Sequence, residues 1–139
     1  MKCCLAVFIL ISSCVALGDA CSCFPATDTE KYCATYNDFA ILIQVKNGGQ
    51  IVQNKRRYKI DLLNIYNITI TNTNLQTNFI FTAVEGSLCG ITLQNGKFYV
   101  LTGTIADGNG NQKILQTLSC DLRIQYDSEA DVDFVAPTC

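Results

Sequence analysis

The sequence contains no histidine. It therefore lacks the residue that most often acts as a general base near neutral pH and most often ligates a metal. No nucleophile–base arrangement stands in for it, and the chain reads as something other than an enzyme. The paired C-x-x-C knuckles of structural zinc sites are missing as well. Ten Lys and Arg against twelve Asp and Glu leave a formal charge of -2, which is no electrostatic footprint for nucleic acid. Beyond residue 17 no apolar run approaches the ~20 residues that a membrane span needs. Neither repeats nor a domain linker interrupt the 139 residues, a length that suits one domain.

The first twenty residues are of another kind. Lys2 supplies a positive start, an apolar run begins at Leu5 and continues to Leu17, and Gly18-Asp19-Ala20 places small residues at -3 and -1 of a cleavage point. Residues 1–20 are expected to be a signal peptide and residues 21–139 a secreted, extracellular domain. The apolar run is too short for a membrane anchor, and Asp19 argues against a lipoprotein signal. Of nine cysteines, Cys3, Cys4 and Cys14 leave with the leader, so six remain: Cys21, Cys23, Cys33, Cys89, Cys120 and Cys139. An even number in a short exported chain implies a disulfide framework. Six cysteines allow fifteen connectivities, and spacing alone does not choose among them.

Along the mature chain, residues 26–36 are polar and offer Thr27 or Asp28 as a helix cap, followed by Glu30. From Phe39 apolar residues alternate with a period of two, predicting a first strand through residue 46 and a turn at Asn47-Gly48-Gly49. Strands follow at residues 58–65, 79–82, 97–105 and 113–120. A polar stretch at 69–78, a loop at 83–90 and turns at 94–96 and 107–110 separate them; the tail from Asp121 should hold one short helix. Five strands in hairpin connection suit a small closed antiparallel barrel, which removes exposed edges.

Cys21-Ser22-Cys23, a third Cys ten residues on, Phe79-Ile80-Phe81-Thr82-Ala83, Ser87-Leu88-Cys89-Gly90, Gly96-Lys97-Phe98-Tyr99-Val100-Leu101-Thr102-Gly103 and Leu118-Ser119-Cys120-Asp121 occur in that order. In this the chain resembles the N-terminal, netrin-like domain of the tissue inhibitors of metalloproteinases, across essentially all of residues 21–139. The resemblance implies a mainly β, five-stranded antiparallel OB-fold barrel with short peripheral helices and three disulfides, Cys21–Cys89, Cys23–Cys120 and Cys33–Cys139. It also implies a metalloprotease inhibitor with no cofactor of its own. The α-amine and carbonyl of Cys21 would bind the catalytic zinc of a matrix metalloproteinase-like or other metzincin protease. Ser22, Cys23, Phe24 and Pro25 would follow along the cleft as an inhibitory wedge, and Val84, Glu85, Gly86, Ser87 and Leu88 would form a second contacting loop.

The chain departs from that family in stopping at Cys139 without the second cysteine-rich domain of typical members. It has Ser22 for the more usual Thr, Phe24 for a smaller aliphatic residue, a short tip on the first hairpin, and no Trp after the fifth Cys, where Tyr126 is the candidate replacement. The competing reading is a netrin-like extracellular binding module for a matrix or receptor partner that inhibits nothing. Two features stand outside both readings. Lys55-Arg56-Arg57 with Lys59 is either a solvated hairpin arm or a contact for acidic matrix polysaccharide. Asn67-Ile68-Thr69 is a glycosylation sequon, and marks Asn67 as an exposed position.

Overall fold

The computed structural model describes residues 21–69, 74–84 and 89–139. The leader, and residues 85–88 of the expected contacting loop, lie outside the described residues. Among the described residues no helix is long and apolar enough to cross a membrane.

The chain opens with an irregular segment and one short helix, α1 (Asp28–Tyr32). Of the two candidate caps the chain uses Thr27. Its hydroxyl accepts the Glu30 N–H at 3.2 Å, and the Glu30 carboxylate accepts the Thr27 N–H at 2.7 Å. This reciprocal pair satisfies two donors that a helix start otherwise leaves open.

Six strands follow: β1 (Phe39–Val52), β2 (Lys55–Ile68), β3 (Leu75–Ala83), β4 (Phe98–Asp107), β5 (Lys113–Gln116) and β6 (Arg123–Tyr126). Strands β1, β2, β3, β5 and β4 neighbour one another in that order, and β4 returns to β1, so five strands close into a barrel. Four seams are antiparallel and β3–β5 is parallel, an arrangement that a chain of simple hairpins does not give. The sixth strand continues β5 along β4, pairing Arg123 with Leu101 and Tyr126 with Phe98.

Several boundaries differ from the sequence reading. The glycines at 48 and 49 do not turn the chain. Strand β1 runs through them to Val52, with register shifts between Val45 and Asn47 and between Gly48 and Gln50. An added Cβ at Gly48 would lie 2.6 Å from the Tyr58 Cα, so glycine here permits close approach of β2 at an irregular pairing. The reversal falls at Gln53 and Asn54, with φ of 50° and 61°, the positive pair that a two-residue hairpin needs. Strand β3 begins at Leu75, inside the stretch read as polar linker, because Leu75 and Gln76 pair with Lys113 and Ile114 of β5. Strand β5 ends at Gln116, not at Cys120, and a 3₁₀ turn at Glu129–Asp131 is the short helix of the tail.

Two apolar clusters result from the two faces of β1. Phe39, Ile41, Ile43 and Val45 point into the barrel with Tyr58, Ile60, Ile80, Tyr99, Leu101 and Leu115. Leu42, on the other face, joins Val100 and Leu122 under α1, β6 and the tail, where Tyr32, Tyr66 and Phe134 pack beside them. The Tyr126 hydroxyl, flanking this outer cluster, has its pKa pushed up to about 12 by burial and then by its bond to Asp133.

Candidate functional site

Residues 21–25 form no helix or strand. Cys21 is half-buried; Ser22, Cys23, Phe24 and Pro25 are exposed, with the Phe24 side chain 92% accessible. The Phe24 ring belongs to neither apolar cluster of the fold.

The segment is held from below. Cys21 is bridged to Cys89 and Cys23 to Cys120, with Cα–Cα distances of 5.3 Å each, and Cys33, just past α1, is bridged to Cys139. The three pairings are those that the family resemblance implied.

The anchors themselves are fixed to the sheet. Thr82, fully buried on β3, accepts the Ile91 N–H at 3.0 Å, so the chain leaving Cys89 is tied to the strand it has just left. An added Cβ at Gly90 would collide with the Ala83 carbonyl, which is why Cys89 is followed by glycine. Cys89 has φ of 62°, a left-handed conformation that costs a non-glycine residue about 1 kcal/mol or more. Thr102, fully buried on β4, accepts the Leu122 N–H at 2.9 Å and so fixes the chain just past Cys120.

A tight turn at residues 118–121 joins the two anchors. The Asp121 carboxylate accepts the Leu118 N–H at 2.7 Å, and the Asp121 N–H donates to the Leu118 carbonyl at 3.1 Å. Between them the Ser119 N–H donates to the Cys89 carbonyl at 2.9 Å, and the Ser119 hydroxyl lies 3.9 Å from the Cys23 sulfur. Burial raises the Asp121 pKa, and the Leu118 N–H partly offsets that. Ser119, Asp121, Thr82 and Thr102 stand within the quoted motifs, but the sequence reading gave them no role of their own. The pattern Leu-Ser-Cys-Asp carried the one available signal, since Asp and Ser are residues that close turns on their own backbone.

Val84 is half-buried at the end of β3; Glu85, Gly86, Ser87 and Leu88 lie outside the described residues. Asn67 is exposed near the end of β2, opposite Ala40. The basic run is engaged within the fold. Lys55 donates to Gln116 at 2.8 Å, Arg56 to the Gly49 carbonyl at 3.0 Å, and Arg57 to Gln50 at 3.3 Å while lying 4.5 Å over the Phe79 ring. These contacts account for the run as a hairpin arm and lend no support to a polysaccharide contact.

A family model described as tissue inhibitor of metalloproteinase matches residues 19–132. Metalloproteinase inhibitor 2 of Bos taurus is 30% identical over 131 residues, a match covering 86% of this chain and 55% of that protein. The chain thus spans about half the length of that relative. The match takes in both doubly anchored cysteines, their partners and the whole barrel, and the chain belongs to the tissue inhibitor of metalloproteinase family.

Proposed function

We propose that the protein is an exported inhibitor of zinc metalloendopeptidases that acts through the N-terminus created by cleavage after Ala20. Cleavage gives Cys21 an α-amine beside its own carbonyl oxygen, and the two form a bidentate donor pair. A catalytic zinc keeps one coordination position for water, and this pair displaces that water. The zinc belongs to the protease. The amine binds as the neutral base, and a reference pKa of about 7.7–8.0 makes its deprotonation inexpensive near neutral pH. Ser22 then enters the mouth of the pocket beyond the metal, and Cys23, Phe24 and Pro25 lie along the cleft. No substrate-like peptide bond spans the zinc, so the protease has nothing to cut. Residues 84–88, next to Cys89 in sequence, form the second protease-contacting loop.

The observation that carries this reading is the exposed C-x-C segment bridged at both cysteines to a barrel of this family. A segment already fixed in shape loses little conformational entropy on binding, which favours tight association.

Extending the secreted chain by one Ala before Cys21 blocks the amine without touching the fold. Inhibition of a panel of zinc proteases is expected to disappear while the melting temperature stays unchanged. Undiminished inhibition by the extended chain would overturn the proposal. A binding module using another face would show no protease inhibition in either form.

A further inference from the structure

A disulfide is a tether with several rotatable bonds, so two bridges hold residues 21–23 rigidly only if their far ends are rigid relative to each other. Those far ends are Cys89 and Cys120, on segments 31 residues apart in sequence (120 - 89). Besides the bridges, the backbone bond from the Ser119 N–H to the Cys89 carbonyl joins them directly. Its geometry depends on the turn at 118–121. Asp121 closes that turn from both sides, its carboxylate on the Leu118 N–H and its own N–H on the Leu118 carbonyl. Among the described residues the carboxylate has no other hydrogen-bond partner, and the residue is 8% exposed. Burial at this level is uncommon for an aspartate unless it is engaged.

We propose that Asp121 is a positioning residue for the exposed segment: by holding the 118–121 turn shut, it locks the anchors of Cys21 and Cys23 into one unit. Removing the carboxylate leaves the Leu118 N–H without its acceptor. The turn then opens, Ser119 releases the Cys89 carbonyl, and each bridge swings on its own anchor. The barrel core is not involved, since its strands are held by their own ladders. Asn at this position keeps an oxygen in the same place and is expected to preserve the lock; Ala is not. The consequence for inhibition rests on the proposed role of the Cys21 terminus, but the positioning itself does not.

The test uses the mature chain with its three bridges verified by mass. Backbone relaxation by NMR reads the order of Ser22, Cys23 and Phe24, and hydrogen exchange reads the Ser119 amide. Asp121→Ala is expected to lower the order of the three residues and to speed Ser119 exchange at least tenfold, with amides of β1 and β4 unaffected. Asp121→Asn is expected to match the native protein in both. Against a zinc protease, Asp121→Ala should weaken inhibition about tenfold and Asp121→Asn should not. If Asp121→Ala does not fold, Asp121→Ser, whose hydroxyl is too short to span the turn, is read in its place. The proposal is overturned if the alanine or serine variant leaves Ser22, Cys23 and Phe24 as ordered as in the native chain. It is equally overturned if loosening spreads evenly through the barrel, or if asparagine behaves as alanine does. A native chain that inhibits no protease would defeat the functional reading and leave the NMR comparison to decide the positioning role.

Discussion

The barrel interior and the segment at residues 21–25 are held by opposite means. The interior is held by burial: Ile43, Val45, Ile80 and Leu101 are all inaccessible to solvent, each fixed by neighbours on adjacent strands. The segment is largely exposed beyond Cys21; two sulfur bridges hold it instead, and one backbone bond joins their far sides. If the segment binds a protease as proposed, burial would be the wrong device there, because a contact surface cannot already be covered. Covalent anchoring gives rigidity and exposure together.

The sharpest way to break the comparison is to remove one bridge. Cys23→Ser with Cys120→Ser opens a loop of 97 residues. Chain-entropy arguments put the cost at about 4–5 kcal/mol, measurable by urea denaturation, and inhibition should fall even in the fraction that remains folded. Next comes the interior. Leu101→Ala, at a fully buried site, is expected to cost about 3 kcal/mol. It should leave the inhibition constant of the folded protein unchanged, as titration of active inhibitor would show. If both variants lose inhibition in proportion to stability alone, the two regions are not separately held.

Ser22→Gly sits at the tip. It should leave the melting temperature alone and weaken inhibition by about 1–2 kcal/mol if its contact is well buried in the complex. The smallest effect belongs to the root of the segment. Thr27→Ala removes one half of the α1 cap and should cost about 1 kcal/mol, read as a lower melting temperature. Glu30 has its pKa lowered, first by the Thr27 N–H and then by the Thr27 hydroxyl. A carboxylate with a depressed folded pKa stabilises above its unfolded pKa, and the effect is lost as pH falls through the folded value. The stability difference between native and Thr27→Ala chains should therefore shrink on acidification below the usual carboxylate range.

The sequence made the burial of β1 readable because one face of that strand lines a closed barrel, so period-two alternation survives from Phe39 to Val45. It hid the reversal because Gly48 and Gly49 look like a turn, while Gln53 and Asn54 take positive φ without glycine. Strand β6 was missed because Arg-Ile-Gln-Tyr is too short to declare a period and exists by extending β5 along β4. The parallel β3–β5 seam is a pairing between segments about 38 residues apart (113 - 75), and no local pattern encodes it. At the candidate site the cysteine order and the family resemblance pointed to the bridges. The turn that joins their anchors was invisible, since it depends on which carbonyl lies beside Ser119 in space.

The partners of Cys23 and Cys33 lie 97 and 106 residues further along the chain. During synthesis the segment at residues 21–25 emerges early and is thus among the last parts to be completed. Until Cys120 and Cys139 have appeared, the thiols of Cys23 and Cys33 lack their native partners. The fixed shape of this segment is in effect a certificate of finished manufacture: a polypeptide truncated before Cys120 would carry the same residues without the bridge that anchors Cys23.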